Sequence, residues 1–329
     1  MRLGSLTLDS PVFLAPMSGI TDRPFRRLVR RFGCGLVFSE MLASKAVIAS
    51  HQRTKAMAQA QADERPMGVQ LAGCDPVIMA EAARVNADLG AQVIDINMGC
   101  PVKKVVNGFA GSALMRQEVL AGRIVEAVAS AVSIPVTVKM RTGWDDADRN
   151  APRLARIVEE AGARLITVHG RTRAQMYAGS ADWAFIGEVK AAVKVPVIGN
   201  GDVFRVEDAI LMLEQSGADG VMIGRGSFGK PWLPNQVAEF LKTRRKLPEP
   251  TWEARCRIVH EHFADILETY GAFLGVRIAR KHMGYYAKGL PGAVEFRNAV
   301  NNTADPAHVI DLVSAFFSAQ GRIEEEEAA

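Results

Sequence analysis

The segment that most suggests chemistry is Asn97-Met98-Gly99-Cys100-Pro101-Val102-Lys103-Lys104. A thiol between a glycine and a proline falls on a loop. Lysines three and four residues further on are expected to polarise it. Such a thiol can be an acid, a nucleophile or a small apolar filler. A second signal is Val136-Thr137-Val138-Lys139. A lysine ending an apolar run can hold an electron-rich group, form a Schiff base or snorkel outward. His169, within Thr167-Val168-His169-Gly170-Arg171-Thr172, can donate to a carbonyl or sit satisfied in a core. Gln70, after Gly68-Val69, offers a donor and an acceptor on one amide. Gly199-Asn200-Gly201-Asp202 and Gly224-Arg225-Gly226 combine glycines, whose backbone N–H groups can close around a phosphate, with a guanidinium that grips it in a fork. Cys34, Cys74 and Cys256 lie in helix-like or helix-flanking contexts and read as packing residues.

These residues need elements to hold them. Eight short apolar runs recur along the chain: 12–16, 36–39, 67–70, 93–97, 136–139, 165–169, 195–200 and 220–223. Amphipathic stretches such as 76–89, 119–132, 152–160 and 206–214 separate them. Near-continuous apolar strands alternating with helices predict a parallel sheet covered on both faces. Eight such units predict an α/β fold of the closed (β/α)8 TIM-barrel type. An open doubly wound sheet would instead place a glycine-rich dinucleotide loop after the first strand. Here that strand runs into Pro16-Met17-Ser18-Gly19-Ile20-Thr21-Asp22. In a barrel the active site forms at the C-terminal strand ends, with phosphate commonly after strands seven and eight. Those ends carry Met17 with Ser18, Glu40, Gln70, Asn97 with Cys100, Lys139, His169, Asn200 with Asp202, and Gly224 with Arg225. Polar groups at all eight predict one shared cavity.

After residue 240 the character changes. The expected organisation is a barrel over 1–243, a proline-punctuated linker over 244–250, a small all-helical bundle over 251–320 and an acidic, disordered tail over 321–329. Hydrophobic residues at 48% and charged residues at 23% exclude a fibrous or mainly disordered chain. The chain lacks an uncharged apolar run of about 18 residues, which argues against a membrane-spanning helix. The first eight residues make too weak a signal peptide. Four scattered cysteines without a CxxC pair argue against a disulfide scaffold and a structural zinc. A soluble, cytoplasmic protein with no bound metal and no obligate protein partner is expected. The net charge of +4 permits a nucleic-acid partner without demanding one. Its arrangement says more, because the span between Glu268 and Glu295 has no acidic residue and holds Arg277, Arg280, Lys281, His282 and Lys288. On a helix, Arg277, Lys281 and Lys288 share a stripe with Arg280 beside it, a face that can bind phosphates or simply meet solvent. Tyr285 and Tyr286 can stack on a base or pack between helices.

Taken together, the motifs resemble the tRNA-dihydrouridine synthase family. The resemblance is carried by Ala15-Pro16-Met17-Ser18-Gly19-Ile20-Thr21-Asp22-Arg23-Pro24-Phe25-Arg26, by the Asn97–Val105 loop, by Val138-Lys139-Met140-Arg141-Thr142-Gly143-Trp144, and by the segments around His169, Asn200 and Arg225 in the same order. It extends to Arg277-Ile278-Ala279-Arg280-Lys281-His282 with Tyr285, and is nearest to the bacterial B-type subgroup. Ser18 departs from the alanine found in many relatives. The resemblance implies an FMN-dependent enzyme that uses NADPH to reduce selected tRNA uridines to 5,6-dihydrouridine. It implies that Gln70, Lys139, His169, Asn200, Gly201, Asp202, Gly224 and Arg225 hold FMN, with Pro16 and Met17 against its ring. Asn97, Lys103, Arg171, Arg277, Arg280 and Lys281 would face the tRNA, and Cys100 would donate a proton to uracil C5 after hydride reaches C6 from flavin N5. The target uridine must leave its stack to reach such a pocket. Two other readings stand beside this one. A flavin barrel acting on a small molecule would leave the basic helical region idle. A non-catalytic RNA-binding protein would leave the polar strand ends unexplained.

Overall fold

The eight apolar runs form eight parallel strands in the computed structural model, which describes residues 1–49 and 61–328. They are β1 (Val12–Leu14), β2 (Leu36–Phe38), β3 (Met67–Ala72), β4 (Val93–Met98), β5 (Val136–Arg141), β6 (Leu165–His169), β7 (Val197–Asn200) and β8 (Gly220–Ile223). Each pairs with the next, and β8 pairs with β1, so these eight strands close into a (β/α)8 barrel. Helices follow the strands, among them Arg23–Phe32, Pro76–Asp88, Trp183–Ala192 and Leu233–Thr243. The first three starts are set locally: Asp22 and Asp182 each accept from one backbone N–H of the first turn and Asp75 from two, groups that the helix itself leaves without a partner.

Alternation along the strands sorts the barrel interior into layers. Its lower part is apolar, with Phe13, Leu36, Phe38, Val93, Leu165 and Ile198 in one buried cluster. A hairpin of Arg2–Leu3 and Leu6–Thr7 closes this end, adding Leu3 and Leu8 to the same cluster. Gly68 makes room for the floor, since a Cβ there would lie 2.5 Å from the Phe38 ring. Two residues further along the same strands the inward positions turn polar. Register sets Gln70 beside Asp95 and Asp95 beside Thr137, then Asn97 beside Lys139, and His169 beside both Arg141 and Asn200.

The chain divides into two compact units, residues 1–226 with 232–244, and residues 227–231 with 245–329. The expected boundary at 243 places 227–231 in the barrel. The structure groups them with the helices instead, because the Phe228 ring stacks on Tyr285 at 4.5 Å and Gly229 lies against the Tyr285 carbonyl. A Cβ on Gly229 would come within 2.3 Å of that oxygen. The second unit holds helices Trp252–Tyr286, Ala293–Asn302 and Pro306–Ala328 around Phe263, Val276, Met283, Val313 and Phe317. Gly271, at φ 73°, breaks the first of these into two, and the second part ends at Tyr286, so Lys288 falls beyond the helix that carries Arg277 and Lys281. The acidic tail, expected to be disordered, is the last turns of the final helix. Glutamate is a good helix former, and extending an existing helix avoids the unfavourable first turn. Among the described residues no helix is long and apolar enough to cross a membrane.

Candidate active site

A cavity opens at the C-terminal strand ends of the barrel. Nine of the ten residues expected to hold a cofactor line it: Pro16, Met17, Lys139, His169, Asn200, Gly201, Asp202, Gly224 and Arg225. Ala15, Pro16, Met17 and Met222 give an apolar contribution, while Lys139, Asn200 and Arg225 supply donors. Two aromatic residues not anticipated from sequence, Tyr177 and Phe204, also line it and stand 4.9 and 5.9 Å from the Arg225 guanidinium. Two glycines are required here. A Cβ on Gly226 would strike the Val203 carbonyl at 2.0 Å, and Gly201, at φ 121°, has His169 within 3.0 Å of that position.

Gln70 is the tenth residue and lies below the cavity, 1% exposed. Its Nε2 donates to Asp95 Oδ2 at 2.7 Å, and its Oε1 accepts from Asn97 Nδ2 at 2.8 Å. Asn97 Oδ1 in turn accepts from the backbone N–H groups of Gly99, at 3.1 Å, and Cys100, at 2.8 Å. Asn97, expected at the substrate, thus already has a protein partner at each end of its amide. The far side of the Cys100 loop is pinned by Arg141 Nε on the Gly99 carbonyl and by Ser112 Oγ on the Cys100 carbonyl, at 2.8 and 2.9 Å. Gly111 is needed beside it, since a Cβ there would lie 2.8 Å from the Cys100 carbonyl.

Charge is concentrated at this mouth. Burial, with the neighbouring Arg141, pushes the Lys139 ammonium down to about 8, against the opposing pull of Asp95 and Cys100. Its Nζ donates to Asn200 Oδ1 at 2.9 Å, and Asn200 Nδ2 donates to the Met222 carbonyl. His169 is held neutral by burial and by the cations Lys139, Arg141, Arg171 and Arg225. Burial raises Asp95 to about 6 despite hydrogen bonds from Thr137 and Gln70. Burial also acts to raise Asp202, but hydrogen bonds from Arg171 and the Ala181 N–H, with the charges of Arg171 and Arg225, outweigh it and hold the carboxyl low.

Arg171, expected to face substrate, is 2% exposed. Both terminal nitrogens bind Asp202, at 2.8 and 2.7 Å, and Nη2 also donates to the Gly179 carbonyl. This fork holds the Asp202 loop. Arg225 stays 40% exposed while donating to Asp202 at 3.1 Å. Lys103 is exposed on the short helix Lys103–Val106 after Cys100.

The expected RNA-facing residues of the helical unit fare unequally. Arg277 is exposed, its guanidinium 3.6 Å over the Phe273 ring, and Lys281 is half-buried. Arg280 Nη2 donates to the Thr303 carbonyl, which ties it to the fold. His282 is buried and held neutral, so it adds no charge to the stripe. The two tyrosines pack: Tyr285 against Phe228, and Tyr286 with its hydroxyl 2.9 Å from His262 Nδ1.

Sequence reasoning missed Asp95 and Arg141. A signal existed for both. Asp95 interrupts the apolar run Val93-Ile94-Asp95-Ile96 two positions before Asn97, and Arg141 stands two after Lys139, so each shares an inward face with a residue already singled out.

Residues 13–320 match the family model described as dihydrouridine synthase. The chain is 55% identical over 319 residues to a probable tRNA-dihydrouridine synthase of Rickettsia bellii, covering 97% of this chain and 98% of that protein. It is 46% identical to tRNA-dihydrouridine synthase B of Pseudomonas putida, covering 97% and 94% of the two chains. Among solved structures, morphinone reductase shares the fold with a TM-score of 0.54 at 15% identity, over 78% of this chain and 91% of that one.

Proposed function

The chain belongs to the dihydrouridine synthase family, and on that premise we propose that it reduces specific uridines of tRNA to 5,6-dihydrouridine, with FMN held in the barrel mouth and NADPH as reductant. The observation that carries this reading is one of arrangement. The Cys100 loop is fastened to the same ring of inward residues whose upper members line the cationic cavity.

The residues present suit FMN. Apolar Pro16, Met17 and Met222 would meet a flat conjugated ring, and Lys139 would face a polar edge where negative charge develops. Arg225, with the glycines at 201, 224 and 226, would take the phosphate. Bound there, FMN would supply the hydride that adds at uracil C6. Neutral His169 can offer one donor without adding charge. Cys100 holds the proton that C5 needs, and the bonds from Asn97, Arg141 and Ser112 fix the loop that presents it. Arg277 and Lys281 supply cationic contacts for RNA phosphates, with the exposed Lys103 three residues after the thiol.

The test is a Cys100→Ala variant loaded with FMN. It should retain flavin and its reduction by NADPH yet form little dihydrouridine, by mass spectrometry of tRNA. Full activity would overturn the acid role. Replacing Arg277 and Lys281 together by alanine should weaken tRNA binding and flatten its salt dependence, read as the slope of log affinity against log salt. Equal reduction of free uridine and tRNA would favour a small-molecule substrate instead.

A further inference from the structure

We infer that Asp95 is a positioning residue which, acting through Gln70 and Asn97, sets the backbone of Cys100. This rests on the reading of Cys100 as the proton donor. Four groups form one directed relay. Thr137 Oγ1 donates to Asp95 Oδ1 at 2.6 Å, which leaves Oδ2 to accept from Gln70 Nε2 at 2.7 Å. Gln70 Oε1 then accepts from Asn97 Nδ2 at 2.8 Å, and Asn97 Oδ1 accepts from the N–H groups of Gly99 and Cys100.

Both ends of the relay have fixed polarity. Backbone N–H groups only donate, and an ionised carboxylate only accepts. Two carboxamides between such ends have one orientation that satisfies every bond. Reversing either would set N–H against N–H or oxygen against oxygen. Asp95 therefore does more than fill a layer. As an acceptor it fixes Gln70, and so keeps the Asn97 oxygen aimed at Cys100. Its two oxygens each receive a donor, Thr137 Oγ1 on one and Gln70 Nε2 on the other, as a carboxylate requires. The relay also explains why a carboxylate 1% exposed is kept one step above an apolar floor, where it is costly to bury.

The experiment compares Asp95→Leu and Asp95→Asn in the full-length, flavin-loaded enzyme. Asparagine can still offer its oxygen to Gln70 while its amide donates to Thr137; leucine can do neither. Two quantities are read: the rate of Cys100 alkylation by iodoacetamide, quantified on its peptide by mass spectrometry, and the single-turnover oxidation of reduced flavin by tRNA. Asp95→Leu should change the alkylation rate by about fivefold or more and slow the tRNA step roughly 10- to 100-fold, as a small misplacement of a reacting group does. Asp95→Asn should return both to within about threefold of wild type. Wild-type values of both in Asp95→Leu, or equal damage in the two variants, would overturn the proposal. If Asp95→Leu does not fold, Gln70→Leu interrupts the relay at its middle and must change the alkylation rate likewise; a wild-type rate there overturns the proposal. Alkylation reports the loop whether or not Cys100 is the acid. A fully active Cys100→Ala would thus defeat the functional reading and leave this inference to be judged on alkylation.

Discussion

The floor and the mouth of the barrel are made by the same strands and solve opposite problems. On β4, Val93 belongs to the apolar floor, and Asp95 and Asn97 follow it on the same inward face. On β6 the sequence is Leu165, Thr167, His169, and on β7 it is Ile198, Asn200. Two residues along a strand carry a side chain from a layer that stabilises by leaving water to one that resists burial. The floor needs only volume and shape. The mouth needs a donor for every acceptor, and its burial displaces the pKa values of Lys139 and His169 downwards and of Asp95 upwards. The stable half of the interior thereby supports a strained electrostatic half, as expected where function opposes stability.

Substitutions in the two layers should separate the two roles. The largest effect belongs to the floor: Phe38→Ala should destabilise by about 3–5 kcal/mol through the cavity left against Phe13, without altering flavin affinity per folded molecule. A lowered thermal midpoint with unchanged flavin titration is the expected pair of results, and flavin loss from correctly folded protein would break the division. Lys139→Met should do the reverse. Because folding lowers this pKa from 10.5 to about 8, the charged lysine opposes folding at neutral pH, and wild-type stability should rise as pH climbs from about 8 to 10.5. The methionine variant should lose that rise, gain on the order of 1–3 kcal/mol near pH 7, and bind flavin weakly. Asp95 gives the acid-side counterpart. Its raised pKa makes wild-type stability fall as pH rises from about 3.8 to about 6. Asp95→Asn should flatten that window in a pH series of unfolding midpoints, and a floor variant such as Phe38→Ala should leave it intact. The smallest effect is expected at the rim, where Tyr177→Ala should weaken flavin binding by roughly two- to fivefold, the worth of one exposed cation–π contact with Arg225.

How far the sequence could be read differs between these layers for a physical reason. Strands announce themselves by apolar runs, so all eight were legible, and Cys100 stood out because its neighbours are glycine, proline and lysines. Nine of the ten expected cofactor residues line one cavity because barrel topology fixes which strand ends converge. What stayed hidden depends on pairing across distance. Arg171 was legible as a cation, but its fork on Asp202 joins residues 31 apart in sequence. Gln70 and Asn97 were visible singly; their link through Asp95 needs the strand register. In the helical region the basic stripe was read from spacing alone, and spacing did not reveal that Gly271 breaks the helix or that His282 turns inward.

The Ser227–Pro231 segment bears on how this architecture can be taken apart. The backbone passes between the two compact units three times, after Gly226, Pro231 and Arg244. A truncation at residue 244 would discard the helices and strip Phe228 of its stacking partner. A graft of the C-terminal helices onto another scaffold would likewise arrive without the five residues that complete it. The helical unit is therefore not a cassette added to the end of a finished barrel. It is a discontinuous module whose smaller piece is encoded inside the larger one, so recombination or protein engineering can move it only as two segments together.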